Sequence, residues 1–64
     1  DRLNVKASTK IDRVEIYNHI GQLVKEFLCA SNNIYMDVSE MHPGLYLFKL
    51  TAENGSAIKQ VMIE

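Results

Sequence analysis

Apolar and polar side chains alternate one by one along most of this sequence, in six short runs. A period of two places successive side chains on opposite faces, which is the pattern of a half-buried β-strand. The runs cover residues 3–7, 13–17, 23–28, 34–38, 45–51 and 58–63. No segment of about ten residues has the spacing of an amphipathic helix. The sequence therefore predicts an all-β fold.

Residues that favour turns separate these runs. They are Asn18 to Gly21, Ser31 to Asn33, the pair Pro43-Gly44 and the pair Asn54-Gly55. Asn54-Gly55 favours a type I′ turn, which needs positive φ at both central residues, so residues 45–52 and 56–63 are predicted to pair antiparallel. Short strands with turns at this spacing predict a small β-sandwich or barrel of six to seven antiparallel strands.

Length and charge exclude several classes of protein. A chain of 64 residues forms one small domain, and its net charge of −1 is spread without a basic stripe that would favour nucleic acid. No apolar run is long enough for a membrane span. The single cysteine, Cys29, cannot form an internal disulfide. Because the chain starts at Asp1, without a methionine or a signal pattern, we interpret residues 1–64 as a single domain excised from a longer protein.

Catalytic and metal-binding chemistry have weak support in the sequence. Cys29 follows an apolar strand end, where a thiol packs as a small hydrophobe, and 64 residues leave little room for a pocket. His19 and His42 lie far apart beside turns, so we expect no catalytic residue, no metal site and no cofactor. Exposed Tyr17, Tyr35 and Tyr46 would suit carbohydrate binding, but tyrosine is also favoured in strands by packing alone.

Three segments, taken in order, resemble the C-terminal sorting domain of cargo proteins of the type IX (Por) secretion system of Bacteroidota. Residues 14–24 (VEIYNHIGQLV) are similar to that family's strand–turn–Gly–strand motif. Residues 41–49 (MHPGLYLFK) are similar to its turn–Gly–aliphatic–Tyr–x–x–Lys motif, and residues 54–56 with 59–63 are similar to its final hairpin and terminal strand. Together these segments span nearly the whole chain.

The resemblance implies a seven-stranded Ig-like sandwich at the C-terminus of a protein that is secreted or held on the cell surface. It implies that the domain is a sorting signal and not an enzyme, and that an outer-membrane translocon recognises it after Sec export to the periplasm. It also implies removal of the domain by a sortase-like peptidase. The residues that match the sorting motif are Gly21, Leu23, Val24, Gly44, Tyr46, Lys49, Lys59, Val61 and Ile63. Of these, we expect the glycines to serve the backbone and Tyr46 to anchor the core.

The terminal strand is the predicted recognition element. Lys59 to Ile63 would lie at a sheet edge with nothing after it to cover that edge, and an open edge can accept a strand from another protein. The same property predicts a homodimer formed through strand edges. The alternatives from other classes are an Ig-like adhesion or carbohydrate-binding module and, third, a purely structural stalk domain.

Overall fold

The computed structural model describes residues 2–64, and this part of the chain is one antiparallel sheet of four strands without a helix. The strands are β1 (Arg2–Tyr17), β2 (Leu23–Asp37), β3 (Gly44–Ala52) and β4 (Gly55–Ile63). Their order across the sheet is β2-β1-β3-β4, so β2 and β4 form the edges. The all-β prediction and the antiparallel pairing of residues 45–52 with the last strand are confirmed. No helix among the described residues could cross a membrane.

Four of the six alternating runs join in pairs to form two long strands, β1 and β2. Strand β1 contains the runs at 3–7 and 13–17. Strand β2 contains the run at 23–28 and residues 34–37 of the next run, whose last residue, Val38, follows the end of the strand. The turn predicted at Ser31 to Asn33 is wrong, because these residues lie inside β2. The Ser31 Oγ accepts a hydrogen bond from the Asn33 N–H (3.1 Å) and donates one to the Asn33 carbonyl (3.0 Å), so the polar residues bend the strand without ending it.

The long hairpin of β1 and β2 is strongly bent at this point. Lys6 pairs with Asn33 and Ile11 with Ser31, so four residues of β1 lie opposite a single residue of β2. An extended strand rises about 3.3 Å per residue, so a straight β1 would measure about 50 Å. The longest dimension of the domain is 30 Å. The bulge therefore folds the first half of β1 and the second half of β2 back toward the rest of the sheet.

One apolar core forms on the inner side of this bend. It joins buried residues from all four strands and the loop after β2, namely Ile11, Val14, Ile16, Ile34, Met36, Val38, Tyr46, Phe48, Leu50 and Ile63. Val14 lies opposite Leu50, and Ile16 opposite Phe48, on the inner face of β1 and β3. Leu3, Val5 and Ala7 pack against the core from the other half of the bent hairpin.

The hairpin between β3 and β4 has a different turn from the predicted one. Ala52 pairs with Gly55, so the two loop residues are Glu53 and Asn54. No residue other than glycine has positive φ in the described chain, which makes the type I′ prediction wrong. The turn instead has negative φ at its two corners and Gly55 directly after them, the position where type I turns favour glycine.

Candidate functional site

The sequence-predicted sorting residues form two neighbouring groups at one end of the sheet. Gly21 lies in the connection between β1 and β2, Leu23 and Val24 are the first residues of β2, and the others lie on β3 and β4. Tyr17 pairs with Leu23 on one side and with Leu47 on the other, which places the first group beside the start of β3. A shallow groove of about 240 Å³ is lined by both Val24 and Tyr46.

The β1–β2 connection is organised by the side chain of Asn18. Its Oδ1 accepts hydrogen bonds from the backbone N–H groups of Ile20 (3.1 Å) and Gln22 (2.9 Å). The Gly21 N–H donates to the Asn18 carbonyl at 3.0 Å, and Gly21 has a φ of +87°. An L side chain is disfavoured at this φ, so the backbone role expected for Gly21 is confirmed.

Within the second group, β3 and β4 place the predicted residues side by side. Gly44 pairs with Ile63 and Tyr46 with Val61. The Tyr46 hydroxyl donates a 2.7 Å hydrogen bond to the His42 carbonyl, while the ring is buried. Tyr46 therefore anchors the core, as expected, and ties β3 to the chain that precedes it.

The predicted residues differ in what they offer to a partner. Leu23, Val24 and Lys59 are exposed, and Lys49 and Val61 are half-buried. Tyr46 and Ile63 are buried, so these two side chains have little surface that a partner could contact. These exposed side chains lie at the start of β2 and on β4, which are the two edge strands of the sheet.

The pairing of β3 with β4 also settles which backbone groups of β4 are free. The closing pair of a two-residue hairpin, Ala52 and Gly55, exchanges both N–H···O bonds, and antiparallel pairs alternate between bonded and non-bonded sites. Counting in twos from Gly55, the N–H and C=O groups of residues 57, 59, 61 and 63 face β3. Those of Ile58, Gln60 and Met62 face outward, where no strand of the described chain pairs with them.

Lys59 to Ile63 lie on an edge strand, as predicted. The large apolar side chains exposed on this strand are those of Ile58, one residue before the predicted range, and Met62, within it. Their side chains are 64% and 60% exposed, on the outer face of the sheet. Leu45, which pairs with Met62, is exposed on the same face. The alternation of β4 contained this information, but it could not say which face was outer until the register with Tyr46 and Phe48 was known.

Cys29 and the two histidines do not form a catalytic arrangement. The Cys29 thiol donates a 3.3 Å hydrogen bond to the Ile11 carbonyl, and both histidines are exposed in connections. Burial raises the pKa of the Cys29 thiol, and the nearby Asp12 carboxylate raises it further. Residues 2–64 contain no cluster of three or more metal-ligating side chains.

A comparison with models of known protein families identifies the class of domain. The family model described as the secretion system C-terminal sorting domain matches residues 1–64, the whole chain. The chain therefore belongs to this family of sorting domains. No curated protein and no solved structure gives a significant match to it.

Membership of the family establishes what the domain does. It is the C-terminal sorting signal of type IX secretion, a non-catalytic signal that the secretion machinery recognises. It marks cargo that is exported to the cell surface or outside the cell.

Proposed function

We propose that the type IX machinery reads this sorting signal through the free edge of β4, by adding a strand of its own beside Ile58, Gln60 and Met62. The observation that carries the proposal is the outward direction of these backbone groups on a strand that, within the described part of the chain, has a neighbour on one side only. Strand addition uses main-chain hydrogen bonds for affinity and alternate side chains for specificity. Many cargo proteins with different sequences could therefore be recognised by one receptor.

The side chains of β4 suit this mode of binding. Ile58 and Met62 supply exposed apolar surface on the outer face, beside the free edge. Lys59 and Val61 lie on the opposite face of the strand, opposite Phe48 and Tyr46 respectively. Among the sorting-motif residues, we assign direct contact to Lys59 and Val61 on β4 and to Leu23 and Val24 beside the β1–β2 turn. Gly21, Gly44, Tyr46, Lys49 and Ile63 hold the sheet that presents them.

We also propose that the bent sheet is a small Ig-like sandwich in which the two halves of β1 and β2 count as separate strands. The shared core of Val14, Ile16, Ile34 and Met36 supports two facing layers. The bond from the Tyr46 hydroxyl to a carbonyl four residues upstream resembles the tyrosine corner of Ig domains. Four of the six runs become halves of β1 and β2, and the other two are β3 and β4.

The remaining steps of sorting are proposals that the family resemblance supports. We propose that residues 1–64 form a single domain at the C-terminus of a longer secreted protein, which crosses the periplasm before the translocon binds it. A sortase-like peptidase then removes the domain. In the absence of the machinery, the same free edge of β4 supports a homodimer, which light scattering over a concentration series would detect.

A proline substitution in β4 tests the edge directly. Gln60→Pro removes an outward N–H, which is tolerated on an edge strand because the bonds to β3 come from residues 59 and 61. Gln60→Ala removes the side chain and keeps that N–H. In a cargo protein that ends in this domain, we expect Gln60→Pro to be retained inside the cell and Gln60→Ala to be exported. Export of a folded Gln60→Pro cargo at the normal level would contradict the proposal.

A further inference from the structure

A groove of about 410 Å³ lies between the first half of β1 and the hairpin of β3 and β4. Strand β1 pairs with β3 only from Ile11 onward, whereas its residues 2–6 pair with β2 alone. On its other side, this half of β1 therefore has no partner within the described chain. The groove begins where that free edge runs past the end of β3. Its lining includes Lys6, Ser8, Thr9, Leu50, Ala57 and Lys59.

The inner face of β4 is uncovered beside this free edge. Ala57 and Lys59 lie on the same face as Leu50 and Phe48, their partners on β3, yet both are exposed. Val61, further along the same face, is only half-buried. The bent half of the β1–β2 hairpin covers the inner face of β1 and β3 with Ile34 and Met36 but leaves the inner face of β4 open at Ala57 and Lys59. One further extended segment beside β1 would cover it.

The charge of the groove indicates which kind of extended segment it would bind. Its lining includes two lysines, Lys6 and Lys59, and no acidic residue of the described chain, although the chain as a whole carries a net charge of −1. The structure gives neither lysine an ion pair with a described residue. The hydroxyls of Ser8, Thr9 and Ser56 add hydrogen-bonding groups that can serve a carboxylate.

We infer that this groove binds an extended acidic segment of a partner protein, which adds as a strand to the free edge of β1. Its apolar side chains pack over Leu50 and Ala57, and its carboxylates pair with Lys6 and Lys59. Backbone pairing fixes the segment in an extended form, and the two lysines choose acidic over basic sequences. The backbone groups that pair with this segment lie on β1 and not on the outward edge of β4, where Gln60 lies, although the Lys59 side chain takes part in both proposed contacts. The inference therefore does not depend on the proposed reading of that edge.

Binding of designed peptides to the 64-residue chain tests the inference. The probe is a short fluorescein-labelled peptide in which valine alternates with threonine and glutamate. The control replaces each glutamate with lysine. Fluorescence anisotropy should show that the glutamate peptide binds and that its affinity falls with added salt. The affinity of the lysine peptide should be lower by about tenfold or more. In the double variant Lys6→Glu/Lys59→Glu the preference should reverse.

Amide hydrogen exchange locates the bound peptide. Added protection at residues 3–6 of β1 supports the inference. Equal affinity for both peptides, no binding of either peptide, or new protection confined to Ile58, Gln60 and Met62 would overturn it. The last outcome would still agree with recognition through the outer edge of β4, so the two proposals fail separately. Lys10→Glu serves as a control for charge reversal outside the groove, because this lysine is exposed on β1 but does not line the groove. It should leave the preference for the glutamate peptide unchanged.

Discussion

The Tyr46 hydroxyl donates a 2.7 Å hydrogen bond to the backbone carbonyl of His42, four residues earlier in the chain. This bond fixes the loop after β2 to the first residues of β3, where the ring of Tyr46 enters the core. The same end of the sheet carries the Gly21 turn and the pair of Gly44 with Ile63. Some motif residues of the sorting domain therefore stabilise one end of the sheet, and others lie on an exposed edge. Variants can test these two roles separately.

Replacing Tyr46 with phenylalanine removes the hydroxyl and keeps the ring. The His42 carbonyl loses its donor in a part-buried position, so we expect a loss of about 1 kcal/mol in the free energy of unfolding. Urea denaturation followed by circular dichroism measures this loss. Tyr35→Phe is the matched control because Tyr35 is exposed, and it should change stability by less than about 0.5 kcal/mol. Equal effects of the two variants would show that the bond to His42 contributes nothing.

Gly21→Ala tests the turn between β1 and β2. Nothing lies within 4 Å of a Cβ at this position, so the added methyl group meets no steric obstacle beyond its own backbone. The φ of +87° alone should then cost about 1–2 kcal/mol of folding stability. Gly21→Asn should cost less than alanine, since asparagine accepts positive φ more readily. An alanine variant as stable as the parent would mean that the turn adopts another conformation in solution.

Truncation of a core side chain should affect folding of the whole domain. Ile16 is fully buried between Phe48 and Lys25 on the neighbouring strands, and Ile16→Val should cost about 0.5–1.5 kcal/mol. Phe48→Ala should cost about 3–5 kcal/mol. Because a domain of this size has a total stability of roughly 3–5 kcal/mol, that variant should be largely unfolded. Leu28→Ala, at a side chain that is 81% exposed, is the control and should fold normally.

The reactivity of Cys29 should report the folded state. Burial, and then the Asp12 carboxylate, raise the pKa of the thiol, so the reactive thiolate is scarce at neutral pH. Alkylation by iodoacetamide at pH 7 should be slower in the native domain than in urea. The folded state holds the proton of the Cys29 thiol more tightly than the unfolded state does. The contribution of this thiol to folding stability is therefore complete below the ordinary thiol pKa, and it is lost as the pH rises through the raised pKa of the folded state. Equal rates of alkylation in the native and unfolded states would contradict this placement of Cys29.

The sequence predicted the strands more accurately than their connections. Apart from Val38, which follows the end of β2, the residues of every alternating run lie in a strand. The reason is that side chains such as Val14 and Ile16 must share one buried face whatever the topology. Ser31 to Asn33 was assigned to a turn because its residues favour turns. In the structure, their local hydrogen bonds bend β2 without ending it. The prediction of a hairpin at Asn54 is correct in its position and wrong in its turn type, because composition alone does not decide which residue pair closes a loop.

The candidate site was predictable in part for the same physical reason. The roles of Gly21 and Tyr46 follow from chemistry that is local to them, a positive φ and a hydroxyl close to the chain that precedes it. The outward direction of Ile58 and Met62 depends on the register of β4 against β3, a non-local property. The groove beside Lys6 depends on the bend of β1, which no periodicity encodes.

Fusion of residues 1–64 to the C-terminus of a reporter that is exported to the periplasm tests most directly whether this folded sheet is a sorting signal by itself. Three fusions are compared in a host with type IX secretion: the native sequence, Phe48→Ala to unfold the core, and Leu28→Ala as an exposed control. The measurement is the fraction of reporter in the medium and on the cell surface. We expect delivery of the native and Leu28→Ala fusions and retention of Phe48→Ala. Retention of a folded native fusion in the periplasm would contradict the assignment.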